Sequence, residues 1–340
     1  MMNAHDIDAI KHLLSSPKKI VIIPHRNQDG DSMGSTLGLY NFLIQLQHEV
    51  TVISPNMFPD YLAWLPGSEN ILCFEENHDA CEPKLLEAEL IFTLDFNAFH
   101  RTGEFMGAFL EQLENTTFIM IDHHQLPDAY AKYMYSDTLM SSTCEMVYHF
   151  IHQLGQQHLI NVTVGTCLYT GLVTDTGSFR FSCTSGTTHR VAADLIDRGI
   201  RNAEIHNNLF DTSTYDRMQL LGKALQNMQL LPEYQTSYIT LTQAELDAHH
   251  YQKGDTEGFV NYGLSIDGIN FTAIFIEKKP EGIIKISFRS QGDFDVNQFA
   301  RSYFNGGGHI NAAGGKSTGT MEETVARFVG IVKEIKKVTV

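Results

Sequence analysis

The sequence predicts an α/β fold: a doubly wound, mostly parallel sheet domain, then a helical connector and a smaller mixed α/β C-terminal domain. Three observations predict it. Short apolar runs bounded by turn residues alternate with stretches of helical spacing through the first half of the chain. The pattern turns helical from about Ser141 to Leu231, and strand alternation resumes after Pro232. A chain of 340 residues, 43% of them hydrophobic, carries enough apolar material for two cores, at ~100 to 200 residues per domain. The expected division is residues 1–212, a connecting helix over 213–233, and residues 234–340.

In order along the chain, KIVIIP (19–24), HEVTVISP (48–55), ELIFTLD (89–95) and TTFIMID (116–122) read as buried strands. A parallel sheet covered on both faces requires such near-continuous apolar runs. Ser32 to Leu46 and Glu104 to Leu113 have helical spacing between them. Ser142 or Thr143 is placed to cap the next helix, and THRVAADLIDRG reads as another that stops at Gly199. After Pro232 come TSYITL and then INFTAIFIEK and GIIKISFRS, a hairpin joined through Lys279-Pro280-Glu281-Gly282. A helix from Val296 to Phe304, the glycine run Asn305 to Gly308 and an amphipathic helix from Glu322 to Lys337 follow.

The formal charge of −16 and the lack of any Lys/Arg-rich run argue against duplex coating or membrane-surface binding. An anionic substrate stays compatible, because a local metal cluster can reverse the field at one site. Cys73, Cys81, Cys144, Cys167 and Cys183 are odd in number and widely spaced, which reads as reduced core thiols. The N-terminal stretch lacks the apolar block of a signal peptide, and no stretch approaches the ~18 apolar residues of a membrane span. A soluble, cytoplasmic protein is expected.

The chemistry lies where acids and histidines meet strand ends. KIVIIP is followed by HRNQDGDS, with His25, Asp29 and Asp31; ELIFTLD ends in Asp95; TTFIMID ends in Asp122, followed by His123 and His124. Asp175 follows a largely apolar helical run. A lone Asp after a strand is most often a helix cap, but strand C-terminal ends are also where α/β sheets place their sites. Asp29, Asp31, Asp95 and Asp175 with two or more histidines at one edge would repel unless cations joined them. Mixed carboxylate and imidazole ligands suit Mn²⁺ or Mg²⁺ better than structural zinc, and two dications balance four aspartates. That is two-metal hydrolysis chemistry. Asp122 is set apart, as an acceptor that orients a neighbouring histidine.

In GGGHINAAGG, Gly306, Gly307 and Gly308 allow close backbone approach to a ligand and put His309 on a loop, with a plain helix C-cap turn as the alternative. Arg289 alternates with Ile286 and Phe288, so it projects from the other face of its strand, as a ligand contact or a surface charge. Arg101, shortly after Asp95, is open to the same two readings.

Together, HRNQDGDS, the strand ending in Asp95, the Asp122-His123-His124 triplet and Asp175 resemble the motifs of the DHH phosphoesterase superfamily. GGGHINAAGG with SFRS resembles its associated C-terminal nucleotide-binding domain. The resemblance implies a catalytic metal-binding domain over 1–212 and a substrate-binding domain over 234–340. It further implies one Mn²⁺ held by His25, Asp29 and Asp95 and a second held by Asp31, Asp95, His123 and Asp175, with Asp95 bridging and Mg²⁺ or Co²⁺ as substitutes. His124 would lie near the scissile phosphate. Arg289, His309 and the glycines, with Arg101 as a weaker transfer, would hold the substrate.

RecJ-type exonucleases carry further domains, membrane cyclic-dinucleotide phosphodiesterases carry transmembrane segments, and family II pyrophosphatases use another C-terminal domain. The chain therefore looks most like the stand-alone nanoRNase and pAp phosphatase group. The expected activity is hydrolysis of short oligonucleotides or 3′-phosphoadenosine 5′-phosphate (pAp) by a metal-bridging hydroxide, with cyclic or linear dinucleotides as the alternative substrates. A non-catalytic nucleotide sensor is the rival outside enzymes. Expected partners are short single-stranded RNA or DNA and pAp-like nucleotides; a homodimer is compatible with the sequence.

Overall fold

The structure, a computed structural model, describes residues 1–114 and 116–336. It separates into two compact units, Met1–Thr212 and Ser213–Val340. Lys337, the expected end of the last helix, lies outside the described residues.

The first unit runs α1 (Ala4–Leu13), β1 (Lys19–Pro24), α2 (Gly30–Leu43), β2 (Glu49–Ser54), β3 (Leu72–Cys73), α3 (His78–Leu86), β4 (Leu90–Leu94), α4 (Glu104–Leu110), β5 (Thr117–Asp122), β6 (Tyr133–Ser136), α5 (Thr143–Gln153), α6 (Val162–Asp175), α7 (Gly186–Asp197) and α8 (Asn202–Phe210). Its described strands form one parallel sheet in the order β3-β2-β1-β4-β5-β6. The four runs read as strands from sequence are β1, β2, β4 and β5. Alternation along each strand explains the layers: Ile20 and Ile22 enter a core with α1, α2, α5 and α6, whereas Val21 and Ile23 face Cys81 and Leu85 of α3 and Met106 and Leu110 of α4.

In the second unit, α9 (Tyr215–Gln226), β7 (Gln229–Leu231), β8 (Thr236–Leu241), α10 (Gln243–Ala248), β9 (Phe271–Lys278), β10 (Ile283–Ser290), α11 (Val296–Tyr303), β11 (Gly307–Gly308), β12 (Ala312–Ser317) and α12 (Met321–Lys336) build a mixed sheet, ordered β11-β12-β10-β9-β8-β7. Of the stretch 213–233, expected as a connecting helix, α9 is helical, but β7 pairs antiparallel with β8 and so extends this sheet. The β9–β10 hairpin turns at Gly282, whose φ of 64° is left-handed. Phe271, Phe275 and Phe288 on one face pack with Phe299 of α11 and Phe328 of α12. Ile239 and Ile274 on the other meet Leu220 and Leu221 of α9. Among the described residues no helix is long and apolar enough to cross a membrane.

Candidate metal centre

Strand order in the first sheet reverses between β1 and β4, and such switch points open a crevice at the strand C-terminal ends. His25 follows β1, Asp95 follows β4, and Asp122 ends β5 ahead of His123 and His124. Asp95 leaves its strand with φ of 64°, a left-handed backbone that non-glycine residues adopt only when their surroundings hold it. Its N–H donates to the Ile121 carbonyl at 3.1 Å, and the residue is 2% exposed.

The remaining acids arrive on two antiparallel helices that touch through small residues. Gly30 lies against Thr174, and Gly38 against Leu168. A Cβ on Gly34 would meet the Cys167 carbonyl at 2.5 Å, and one on Gly171 would meet Asp31 Oδ1 at 2.6 Å. This close approach sets the first turn of α2 beside the last of α6, and so Asp29 and Asp31 beside Asp175. Asp29 also caps α2: its Oδ1 accepts from the Asp31 and Ser32 N–H groups at 3.1 and 3.0 Å. The helix therefore begins two residues before the expected Ser32.

Donors gather in two groups around the His25 and His123 imidazoles, beside a third made of Asp95, Asp122 and His124. In the first, His25 Nε2 lies 3.3 Å from Asp95 Oδ2 and 4.0 Å from Asp29 Oδ1. In the second, His123 Nε2 faces Asp95 Oδ1 and Asp175 Oδ2, each at 3.5 Å, and Asp31 Oδ2 at 3.7 Å. Asp95 presents one oxygen to each. Both rings are held from behind: His25 Nδ1 lies 2.8 Å from the Arg26 carbonyl and His123 Nδ1 lies 3.2 Å from the Met140 carbonyl. A carbonyl can only accept, so Nδ1 carries a hydrogen, and in the neutral ring Nε2 is left to present its lone pair.

Electrostatics follow from this crowding. Burial, then the nearby Asp95 and Asp175 charges, push the Asp31 carboxyl well above the ordinary carboxylate range. Burial acts in the same direction on Asp95, yet hydrogen bonds from His123 and His25 hold it well below that range. Burial alone would lower the His123 imidazole, but Asp95, Asp175 and Asp31 raise it well above its ordinary value. Three carboxylates around one imidazole demand positive charge. A divalent cation meets that demand with both imidazoles neutral, and separations of 3.3 to 4.0 Å suit donors that share an ion at about 2.1 Å. The donor set fits.

Asp122 is fully buried and both its oxygens go to His124: Oδ1 lies 2.7 Å from the ring Nδ1 and Oδ2 accepts the His124 N–H at 3.1 Å. Sequence reasoning weighed Thr143 only as a cap. Ser142 takes that role, with its hydroxyl accepting from the Glu145 N–H, which leaves the Thr143 hydroxyl to donate to Asp95 Oδ1 at 3.0 Å. The Thr143 and Cys144 N–H groups, at the start of α5, donate to Asp31 at 2.6 and 2.9 Å. Two adjacent hydroxyl residues where a helix needs one cap were the signal for a second role. Arg101, in the turn after Asp95, accepts the Arg26 N–H through its carbonyl at 2.8 Å, and its charge acts on His25.

Arg289, His309 and the glycine run lie in the second unit. Arg289 pairs with Ala312, whose carbonyl accepts the His309 N–H at 2.7 Å, so these two residues occupy one end of the sheet. The glycines decide against the alternative reading of this segment. Gly307 and Gly308 are not a plain helix C-cap but the short strand β11, paired with β12. A Cβ on Gly306 would run into the Gly314 backbone, and Gly308 has φ of 149° with no room for a Cβ beside the Ala312 carbonyl at 2.5 Å. Backbone packing within this hairpin is thus the first requirement at both positions, and approach to a ligand is not needed to explain them.

Residues 19–172 match the DHH family, N-terminal domain, and residues 235–337 match the DHHA1 domain. The chain belongs to the DHH family of phosphoesterases. It is 30% identical to the bifunctional oligoribonuclease and PAP phosphatase NrnA of Thermus thermophilus, over 93% of this chain and 89% of that protein. The protein of the same name from Bacillus subtilis is 28% identical over 87% of this chain and 88% of its own. Among solved structures, an exopolyphosphatase-related protein from Bacteroides fragilis superposes with a TM-score of 0.94 at 37% identity, covering 99% of this chain and 98% of that one.

Proposed function

We propose that the protein is a two-metal phosphoesterase that hydrolyses short oligonucleotides and pAp in the cytoplasm. The observation that carries this reading is Asp95, whose two carboxylate oxygens face His25 Nε2 and His123 Nε2, each imidazole standing among further acids. The names of relatives that match across most of their length supply the substrate class. Five cysteines without disulfides suit a reducing compartment.

His25, Asp29 and Asp95 would hold one cation, and Asp31, Asp95, His123 and Asp175 the other, with Mn²⁺ the expected ion and Mg²⁺ or Co²⁺ as substitutes. When bound, such ions supply a water made acidic near neutral pH and offset of charge on the phosphoryl group. The chain's own residues do the rest. The Arg26 and Met140 carbonyls keep His25 and His123 in the tautomer that offers Nε2. Asp122 fixes the His124 ring, so that Nε2 is the nitrogen that would meet the scissile phosphate. Arg289, His309 and the Gly306–Gly308 hairpin would hold the substrate's other phosphate groups, and Arg101 would add a charge beside His25.

The test is turnover by metal-stripped protein supplied with Mn²⁺, Mg²⁺ or Co²⁺ and offered pAp, a dinucleotide, a five-mer, a 20-mer, a cyclic dinucleotide and tripolyphosphate. Hydrolysis of pAp and the short oligonucleotides is expected. The 20-mer should turn over more slowly per end, because no basic tract is present to track a long backbone. Cleavage confined to the cyclic dinucleotide or to tripolyphosphate would overturn the substrate assignment.

A further inference from the structure

Five consecutive residues between the first sheet and the body of α5 reach the cluster at four points. The Met140 carbonyl meets His123 Nδ1 at 3.2 Å. Thr143 donates its N–H to Asp31 Oδ2 at 2.6 Å and its hydroxyl to Asp95 Oδ1 at 3.0 Å, and the Cys144 N–H donates to Asp31 Oδ1 at 2.9 Å. The position of this segment therefore sets the position of three of the proposed ligands. On its N-terminal side it is held by a turn, in which the Met140 N–H donates to the Asp137 carbonyl and the Asp137 N–H to the Asp122 carbonyl, each at 3.2 Å, while Leu139 is 88% exposed. A side-chain anchor completes the hold from the other side.

Glu145 supplies it. This side chain sits one turn into α5, is 1% exposed, and takes no part in the four contacts. Its Oε2 accepts the Ser141 hydroxyl and, at 2.9 Å, the Thr188 hydroxyl, while Oε1 lies 3.6 Å from His149 Nε2. Thr188 belongs to the capping box that begins α7, a helix fixed in the first core through Val191, Ala192 and Leu195. One buried carboxylate thus ties the middle of the segment to α7, a helix that carries none of the proposed ligands. Burying a charged group is costly, and an apolar residue of similar size often fills such a place at no loss of stability. A role in holding the segment accounts for a carboxylate here.

We propose that Glu145 is a positioning residue for the metal cluster, acting through the Ser141 hydroxyl on the Met140–Cys144 segment. The inference rests on the reading of the cluster as a metal site.

Mn²⁺ titration of the stripped protein by calorimetry, with kcat and KM on pAp measured in parallel, tests it. Ser141→Ala cuts the link and leaves the Glu145–Thr188 contact; it should raise the Mn²⁺ Kd about tenfold or more and lower kcat, with KM within about twofold. Glu145→Ala should do at least as much where it folds. Glu145→Gln keeps an oxygen that accepts both hydroxyls, so its Kd should stay within about threefold of the parent's. If Ser141→Ala lowers the melting temperature but keeps the parent's Kd and kcat, Glu145 is a folding residue only and the proposal fails. Failure of the parent itself to take up Mn²⁺ overturns the metal reading instead, and that outcome involves no variant.

Discussion

Asp122 spends both carboxylate oxygens on the residue two positions further on, one on the His124 ring nitrogen at 2.7 Å and one on its backbone N–H at 3.1 Å. On the proposed reading, Asp122 supports a histidine and is not itself a donor to an ion. Asp122→Asn keeps an acceptor for the ring but loses its charge, so kcat should fall about 10 to 100-fold. The rise in melting temperature produced by Mn²⁺ should be retained. A variant that loses that rise would place Asp122 among the ligands.

Asp95 is the contrasting case, since each of its oxygens faces a different imidazole. Asn is the variant of choice there because it tolerates the left-handed backbone at φ 64°. In the parent, Mn²⁺ at a hundredfold excess over Kd should stabilise by about 2.7 kcal/mol for each ion bound, a rise of roughly 5 to 10 °C in melting temperature per ion. Asp95→Asn should abolish both that rise and activity. Thermal melts across a Mn²⁺ titration decide it, and an unchanged shift in the variant would exclude Asp95 as the shared ligand.

The parts legible in the sequence and the parts hidden from it divide along contact range. Strand ends are local: the apolar runs closing on Pro24, Leu94 and Asp122 could be read directly, and with them the edge that carries His25, Asp95 and His123. The support of that edge is not local, because Thr143 meets Asp31 across 112 residues and Glu145 meets Thr188 across 43. β12, Ala-Ala-Gly-Gly-Lys-Ser, has no intrinsic strand preference. It forms because β10 offers a pairing edge from Ile284 to Arg289. Pairing of β11 with β12 explains the glycine run, whose demand for close approach was visible while the partner, its own hairpin, was not.

The contact between α2 and α6 gives a third prediction. A methyl group at Gly171 would collide with the Cys144 sulfur and with Asp31 Oδ1. Gly171→Ala should therefore cost about 1 to 3 kcal/mol in urea denaturation and weaken Mn²⁺ binding together. Gly222, in α9, has open space around it and a helical backbone, so Gly222→Ala should be neutral or stabilise by about 0.4 to 1 kcal/mol. Equal effects at the two positions would mean that the helix contact tolerates a larger residue.

His48 offers a pH dependence remote from the cluster. Its Nδ1 accepts the Lys18 N–H at 3.1 Å, ahead of β1, and its Nε2 is buried with no hydrogen-bond partner among the described residues. Burial, then the Lys18 charge, holds the imidazole below its ordinary value of ~6.5. The unfolded chain then binds the proton more readily than the folded one. Its contribution to stability is complete above about pH 6.5 and is lost as pH falls from there through the lower folded value. His48→Asn retains an acceptor for Lys18 but does not titrate, so its stability should vary less between about pH 5 and 6.5 than the parent's. Parallel denaturation curves at both pH values for the two proteins would refute this.

His309 separates holding the substrate from arranging the hairpin. Its side chain follows β11, whereas Gly306 is pressed against the Gly314 backbone, so His309→Ala should leave the fold intact and Gly306→Ala should not. If His309 donates a charge-assisted hydrogen bond to a substrate phosphate, its loss is worth roughly 1.5 to 3 kcal/mol, or about 10 to 150-fold in kcat/KM. Mn²⁺ binding should not change, because the proposed ligands all precede residue 176. The loss should be larger on pAp than on bis(p-nitrophenyl) phosphate, which has no second phosphate group to hold. An equal loss on both would place His309 on the scissile group itself, and parent-like kinetics on pAp would leave the hairpin with a structural role alone.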